Sequence, residues 1–600
     1  MKNSYADRKY VVIGIFIAVG FIFVAKLFYI QIINRDYLLS AQNNVIRVVT
    51  QYPARGLIYD RKGRLLVYNE AAYDLMVIPD QVRPFDTLEL CSLIGVDKDI
   101  FVKRLKSIRE YSTRKASVIE KQLSKETYGY LQEKLFRYPG FYVQSRILRS
   151  YAYPIAAHTL GYIGEVDNAT VERDPYYKPG DYLGISGLEK TYEKELRGVN
   201  GVKRILVDVF NREKGSFQKG KYDTAAVKGK DLTITIDVEL QAYGEQLMAH
   251  KKGSIVAIEP SSGEILCLVS SPSYDPNLLV GRIRSRNYEL LEKDTLEPLF
   301  NRALAATYPP GSTFKLMNAL IALQEGTCTP ETRFPCNGTA SQPIKCSHSH
   351  PAPLNMLGAI EVSCNPYFWR TFNSIMNEKK DIHQSFNIWR NYVLNFGFGH
   401  TFESDIFNEG TGFIPKCDYF DKYFGVKGWR AMTIRSLSIG QGEILVTPLQ
   451  LANYVTIIAN RGYYYVPHLL KSIEGQGGIG WIKKNTTIDP KYFNLIVQGM
   501  YNVFEGSMGT ARAYKVDSLD ICGKTGTAEN PHGKGHSIFI AFAPKDHPKI
   551  ALAVVVENAG FGATWAAPIT TLMIEKYLNG ATRRPWVEER IMNGNLIESP

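Results

Sequence analysis

The strongest feature of the hydropathy pattern lies near the N-terminus. From Tyr10 to Ile33 the chain is apolar apart from Gln31 and its one charge, Lys26. About 20 mostly apolar residues cross the hydrocarbon of a bilayer as a helix, so residues 10–33 are expected to span a membrane. Lys26 lies toward the far end, where its long stem carries the ammonium to the interface. Lys2, Arg8 and Lys9 flank the near end, and the positive-inside rule then places residues 1–9 in the cytoplasm. No A-x-A-like site follows, which argues against a cleavable leader; a buried core helix is the competing reading. No second run of this kind occurs, so the remainder is expected outside the cytoplasm on one tether.

Beyond this run the pattern turns to short alternating and helical stretches. Residues 34–228 are rich in Tyr, Lys and Arg, with turns at Arg55–Gly63 and Gly184–Gly187, while 212–230 reads as a polar, Lys- and Gly-rich linker. Asp231–Asp237 alternates like a strand. Ser254–Glu259 and Glu264–Val269 flank Pro260-Ser-Ser-Gly263, a hairpin signal, and Ser537–Phe542 and Ile550–Val556 form a similar pair. Strands at both ends with helical stretches between predict an α+β domain over 229–600, its sheet joining distant segments.

Composition narrows the class without choosing a function. A chain that is 45% hydrophobic and 22% charged is neither disordered, collagen-like nor coiled-coil. Lys and Arg total 71 against 59 Asp and Glu, a net charge of +12. That excess is not clustered as nucleic-acid binding requires, and it suits an anionic neighbour such as a membrane surface or acidic polymer. The eight cysteines lack the spacing of a disulfide-dense secreted domain.

Three short motifs carry candidate chemistry. In Tyr308-Pro-Pro-Gly-Ser-Thr-Phe-Lys315 the prolines and Gly311 break any helix, while Ser312 onward suits a buried one. Ser312 is therefore expected at a helix N-terminus, and Lys315 lies one turn on, where its amine can reach the Ser hydroxyl and act as base. Ser363-Cys364-Asn365 follows about 50 residues later; its hydroxyl can relay protons and its amide can hold a substrate amide. Lys524-Thr525-Gly526-Thr527 offers an ammonium and hydroxyls for a carboxylate, with Gly526 expected to let a substrate backbone approach. A phosphate-loop reading fails, because Ser518 stands where a Gly is needed. Each motif alone is weak: Ser112–Lys115 and Ser216–Lys219 also match Ser-x-x-Lys, and Ser285–Asn287 matches Ser-x-Asn.

Taken in order, the three motifs resemble the penicillin-binding and serine β-lactamase set. The whole chain resembles the class B penicillin-binding proteins, and within them the elongation-type penicillin-binding protein 2 group. Pro53–Gly63 with Asn69, Ala157–Gly164, Gly187–Tyr192 and Leu196-Arg-Gly198 resemble that family's pedestal motifs. Leu268–Asn277, Asn301-Arg-Ala303, Ser438–Gly442 and Thr447–Gln450 follow its transpeptidase domain. The resemblance implies a non-catalytic, dimerisation-type mixed α/β pedestal over 34–228. It also implies a transpeptidase domain over 229–600, with an antiparallel sheet and flanking helices. It implies a peptidoglycan D,D-transpeptidase, with a carboxypeptidase side activity, that forms an acyl-enzyme on Ser312. Lys315 would be the base, Ser363 and Asn365 would assist, and the N–H groups of Ser312 and Thr527 would form the oxyanion hole. Lys524, Thr525, Gly526 and Thr527 would bind the substrate's terminal carboxylate.

By the same resemblance the partners are peptidoglycan stem peptides, β-lactams, the inner membrane and a polytopic glycosyltransferase of the elongation complex. No nucleic acid and no catalytic cofactor are expected. A division-type transpeptidase, a non-catalytic activator scaffold and a β-lactam-hydrolysing or -sensing protein are the competing functions. One cluster stands apart. Cys336, Cys346, His348 and His350 crowd together beside Pro351, and such soft ligands suit a structural Zn²⁺. A Cys336–Cys346 disulfide and unlinked loop residues are the alternatives.

Overall fold

The computed structural model describes residues 5–33, 46–207, 213–426, 428–476, 478 and 480–597. Helix α1 (Tyr5–Phe28) continues into one π turn at Tyr29–Ile33. Within Arg8–Ile32 an 18-residue window has a mean hydropathy of 2.7, with none of that window buried. That exposure argues against the core-helix reading, and the length and apolarity of the helix are those of a membrane span.

The chain, α1 included, divides into two compact units. The smaller comprises Met1–Arg55, Glu70–Leu148 and Arg197–Gly229. One of its cores gathers Leu90, Ile94, Phe101, Tyr138 and Phe141. Here the expected linker at 212–230 is corrected. Glu213–Ser216 is a strand, paired antiparallel with Gly201–Val207, and Val202 bridges to Thr224. Ladder bonds come from the backbone, so a polar segment can be ordered without any apolar signal. Arg212 itself lies outside the described residues.

The larger unit comprises Gly56–Asn69, Arg149–Leu196 and Lys230–Pro600. Each unit thus draws on segments that are separate in sequence. Leu232 of the strand Leu232–Ile234 pairs in parallel with Ile58 and antiparallel with Ile473, which fixes the early Gly56–Asn69 segment in this unit. Within the unit Arg149 and Glu189 form a fully buried ion pair at 2.7 Å, and Arg149 Nη1 also donates 3.1 Å to Asn69 Oδ1, so one guanidinium bridges two of the family-like runs.

The main sheet of this unit is built from β1 (Gly253–Ile258), β2 (Ile265–Ser271), β3 (Cys522–Ala528), β4 (His536–Ala543) and β5 (Ile550–Val556). Its order is β2-β1-β5-β4-β3, antiparallel throughout, with β3 at one edge. Both expected strand pairs are present, and β5 beside β1 joins them. Around the sheet stand α2 (Val238–Leu247), α3 (Lys315–Gln324), α4 (Met356–Glu361), α5 (Asn365–Met376), α6 (Pro448–Ala459) and α7 (Ala566–Asn579). Ile255, Ala257, Leu552 and Val554 share a core with α2 and α7, while Val256, Ile258, Ala553 and Val555 share one with α6. Both faces are thus covered, so these strands read as continuous apolar runs rather than alternating ones.

Candidate active site

The nucleophile candidate sits on a short 3₁₀ turn, Gly311–Phe314, that runs into α3. Every residue of α3 from Lys315 to Leu323 is buried, so the turn is anchored by an apolar helix. Gly311 has φ +58°, and a Cβ there would lie 2.5 Å from the Thr527 carbonyl oxygen. Only glycine permits this approach of the Ser312-bearing turn to the edge strand β3. Gly526 acts from the other side: its Cβ would lie 2.9 Å from Thr313 Cγ2 and 3.1 Å from the Pro310 carbonyl oxygen. Gly526 thus also lets the protein's own Pro310–Thr313 turn approach β3 closely.

Lys315 is completely buried, and burial brings its pKa down to about 8 against the opposing pull of Cys364 and Cys346. Its ammonium donates to the Ser363 carbonyl oxygen at 2.7 Å, Ser363 Oγ at 3.1 Å and Asn365 Oδ1 at 2.6 Å. Those contacts occupy its three donors, so the expected contact with Ser312 is not made in this arrangement. Lys524, also buried, donates to Ser363 Oγ at 2.8 Å and to Thr525 O at 3.2 Å. Burial, and then repulsion from Lys315, hold its pKa well below the usual lysine range.

Ser363 occupies the turn between α4 and α5 with φ +57°. This left-handed conformation is uncommon outside glycine and costs strain, which the hydrogen bonds to two lysines offset. Asn365 Nδ2 donates 2.9 Å to the Lys345 carbonyl, fixing which way the amide faces.

A cavity of about 620 Å³ opens over these groups, and Ser312, Ser363, Asn365, Thr525, Gly526 and Thr527 all line it. The structure thus brings together eight expected residues, with Lys315 and Lys524 beneath the lining. Gln441, Thr510, Glu529 and Phe561 also line the cavity. Gln441 Nε2 donates 2.7 Å to the Thr527 carbonyl, and Thr510 Oγ1 lies 3.0 Å from Thr525 Oγ1. Gln441 falls within the Ser438–Gly442 run, which was visible in sequence without a role; nothing in sequence points to Thr510.

The Cys/His cluster is partly as expected. Cys336, Cys346, His350 and Cys364 place their ligand atoms within 4.8 Å of one another. Cys364 stands where His348 was expected, because the turn carrying Ser363 and Asn365 comes back against the loop. His348 instead lines the catalytic cavity, its Nδ1 3.0 Å from Ser347 Oγ. A hydrogen bond between the Cys346 and Cys364 thiols pushes Cys346 below the ordinary thiol range and Cys364 above it. All eight cysteines are free, so the Cys336–Cys346 disulfide is absent. His158 is half-buried, its ring edge-on to Tyr274 at 5.4 Å, and desolvation brings its pKa down to about 4, as befits a neutral packing residue.

Comparisons with known proteins agree with this geometry. Residues 253–575 match the penicillin binding protein transpeptidase domain, and residues 50–234 match the penicillin-binding protein dimerisation domain. The peptidoglycan D,D-transpeptidase MrdA of Haemophilus influenzae is 32% identical, over 98% of this chain and 94% of the relative. MrdA of Escherichia coli is 31% identical, over 94% of each. Among solved structures, the complex of penicillin-binding protein 2 and MreC from Helicobacter pylori is 25% identical with a TM-score of 0.75, covering 89% of this chain and 99% of that one. Pseudomonas aeruginosa PBP2 in complex with WCK 5153 is 28% identical with a TM-score of 0.65, covering 90% and 99%. A third, from a study of polymerisation and cross-linking by a peptidoglycan synthase complex, is 25% identical with a TM-score of 0.71, covering 96% and 99%. On the family match over its catalytic half and relatives above 30% identity along nearly its whole length, the chain belongs to the penicillin-binding protein transpeptidases, among the relatives of MrdA and penicillin-binding protein 2.

Proposed function

We propose that the chain is a peptidoglycan D,D-transpeptidase of cell elongation, with Ser312 as its acylated nucleophile. The observation that carries this reading is the position of Ser363 Oγ, 3.1 Å from Lys315 Nζ and 2.8 Å from Lys524 Nζ, on the wall of the cavity that Ser312 shares. Its oxygen accepts from both lysines, which leaves its own proton to donate into the cavity.

In this mechanism Lys315, once neutral, takes the Ser312 proton, and Oγ attacks the carbonyl of the penultimate D-Ala. The backbone N–H groups of Ser312 and Thr527 stabilise the resulting oxyanion. Lys524, Thr525 and Thr527 hold the terminal carboxylate of the stem. The proton passes by way of Lys315 and Ser363 to the leaving D-Ala, and an amine of a neighbouring stem then attacks the ester. Asn365 holds the stem's amide. β-Lactams would acylate the same oxygen.

The cluster of Cys336, Cys346, His350 and Cys364 fits a structural Zn²⁺, since three thiols and one imidazole are a donor set typical of closed zinc sites. The ion would supply no chemistry to acyl transfer; it would tie the loop before Pro351 to the turn that carries Ser363 and Asn365.

We assign 34–228 to a pedestal and 229–600 to the catalytic domain. Helix α1 anchors the chain to the inner membrane, with residues 1–9 cytoplasmic and the bulk periplasmic. Partners of the kind named for the related structures, MreC and a peptidoglycan synthase, suit this placement. Labelled penicillin tests the activity: the wild type should retain it covalently and Ser312→Ala should not. Equal labelling of the two would sink the assignment.

A further inference from the structure

Three thiols sit behind the catalytic turn, and acyl transfer uses none of them. Cys336, Cys346 and Cys364 lie with His350 in one group whose ligand atoms are within 4.8 Å of one another. The other five cysteines are buried outside this group. Within it the Cys346 and Cys364 thiols hydrogen bond to each other and are 2% and 1% exposed, whereas Cys336 is partly open to solvent. With the bulk of the chain placed in the periplasm, as proposed above, these thiols meet an oxidising compartment.

The position of the pair ties it to catalysis. Cys364 stands between Ser363 and Asn365, whose side chains hold the Lys315 ammonium at 3.1 Å and 2.6 Å. Cys346 follows Lys345, whose carbonyl accepts from Asn365 Nδ2 at 2.9 Å. Loop and catalytic turn therefore touch at adjacent positions, and whatever draws the two sulfurs together moves the groups that hold the base. A disulfide does so, since its sulfurs are about 2.05 Å apart, well inside the contact distance of two thiols.

Resting on the transpeptidase reading, we propose that Cys346 and Cys364 are a redox modification site, closed by a disulfide oxidant and reopened by a thiol, and that closure slows acylation of Ser312. Cys336 admits the oxidant. Its sulfur attacks the oxidant's S–S bond, one thiol leaves and a mixed disulfide forms. Cys346 attacks the Cys336 sulfur and the second thiol leaves; Cys364 then attacks the Cys346 sulfur and returns Cys336 to its thiol. In sum Cys346 and Cys364 lose two protons and two electrons, and the oxidant is reduced to two thiols.

The test uses the detergent-solubilised full-length chain, stripped with a chelator and exposed to oxidised glutathione. Alkylation of the remaining thiols, digestion and mass spectrometry should find a Cys346–Cys364 cross-link, two hydrogens lighter than the reduced peptides. As the cross-link forms, acylation by labelled penicillin should slow at least about tenfold, the scale of a small displacement of catalytic groups. Dithiothreitol should restore the rate, which separates the switch from unfolding. Cys336→Ser should slow closure about tenfold, and unslowed closure would overturn the entry step. Cys346→Ser should form no such cross-link, and its acylation rate should be the same with and without oxidant. No cross-link in the stripped wild type, or a cross-link that leaves acylation unchanged, overturns the proposal. Added Zn²⁺ should shield the wild type; closure at an equal rate with Zn²⁺ would sink the zinc assignment while upholding the disulfide. Absence of penicillin labelling before oxidation would instead overturn the transpeptidase reading, and the proposal with it.

Discussion

Lys524 Nζ lies 2.8 Å from Ser363 Oγ, across 161 positions of the sequence, and both groups are buried. This contact joins the edge strand β3 to the turn between α4 and α5, and Lys315 reaches the same oxygen from α3 at 3.1 Å. Removing the hydroxyl leaves two buried ammonium groups facing each other without the acceptor they share. Ser363→Ala should slow acylation by labelled penicillin by about 10²-fold, the usual worth of a positioned proton relay. Rapid-mixing kinetics measure it, and a loss below threefold would rule out a relay through Ser363.

The pH dependence follows from Lys315, whose pKa is brought down to about 8 by burial. A base must be neutral to accept the Ser312 proton, and the neutral fraction of a lysine grows as pH rises. Acylation should therefore increase about tenfold per unit below pH ~7, bend near pH ~8 and level off above ~9. A flat profile from pH ~6 to ~9 would show that another group takes the proton.

Gly311 carries φ +58°, and a Cβ there would meet the Thr527 carbonyl oxygen at 2.5 Å. Gly311→Ala adds the cost of a left-handed non-glycine residue, about 1–3 kcal/mol, to a clash with backbone that cannot swing away. The turn must then retreat from β3 and carry the Ser312 N–H away from that of Thr527. Penicillin acylation should fall by at least about 10²-fold, with a drop of several degrees in Tm. Unchanged acylation would mean that the pairing of those two N–H groups is not what the glycine protects.

These contacts show where sequence suffices and where it stops. Ser312, Lys315, Ser363, Asn365 and Lys524 were legible as candidates because three motifs, each weak alone, follow one another in the order of a known family set. The strands Gly253–Ile258 and Ile550–Val556 were legible because burial on both faces makes them continuously apolar. Glu213–Ser216 was not, since an edge of polar residues held by ladder bonds leaves no hydropathy trace. That the Pro310–Thr313 turn packs against Gly526 was not legible, because spacing along a strand does not say which neighbour lies over it. Cys364 was passed over as a ligand because it stands 14 positions beyond His350, and only the tertiary return of the Ser363 turn closes that gap.

That return supplies the last prediction. Cys364 lies between Ser363 and Asn365 in the chain, yet its thiol meets Cys336, Cys346 and His350. A Zn²⁺ held there would brace the catalytic turn without touching substrate. Purified full-length chain should contain about one zinc per molecule by elemental analysis, and Cys346→Ser should lower that stoichiometry sharply. Because the ion binds the folded state and not the unfolded one, its loss should lower Tm, and added Zn²⁺ should restore Tm in the chelated wild type but not in the variant. His348→Ala provides the contrast. Its imidazole lines the cavity and is not among the four clustered ligands, so zinc content should stay at the wild-type level. Zinc lost from His348→Ala but retained by Cys346→Ser would return the ligand set to the one that spacing alone suggested.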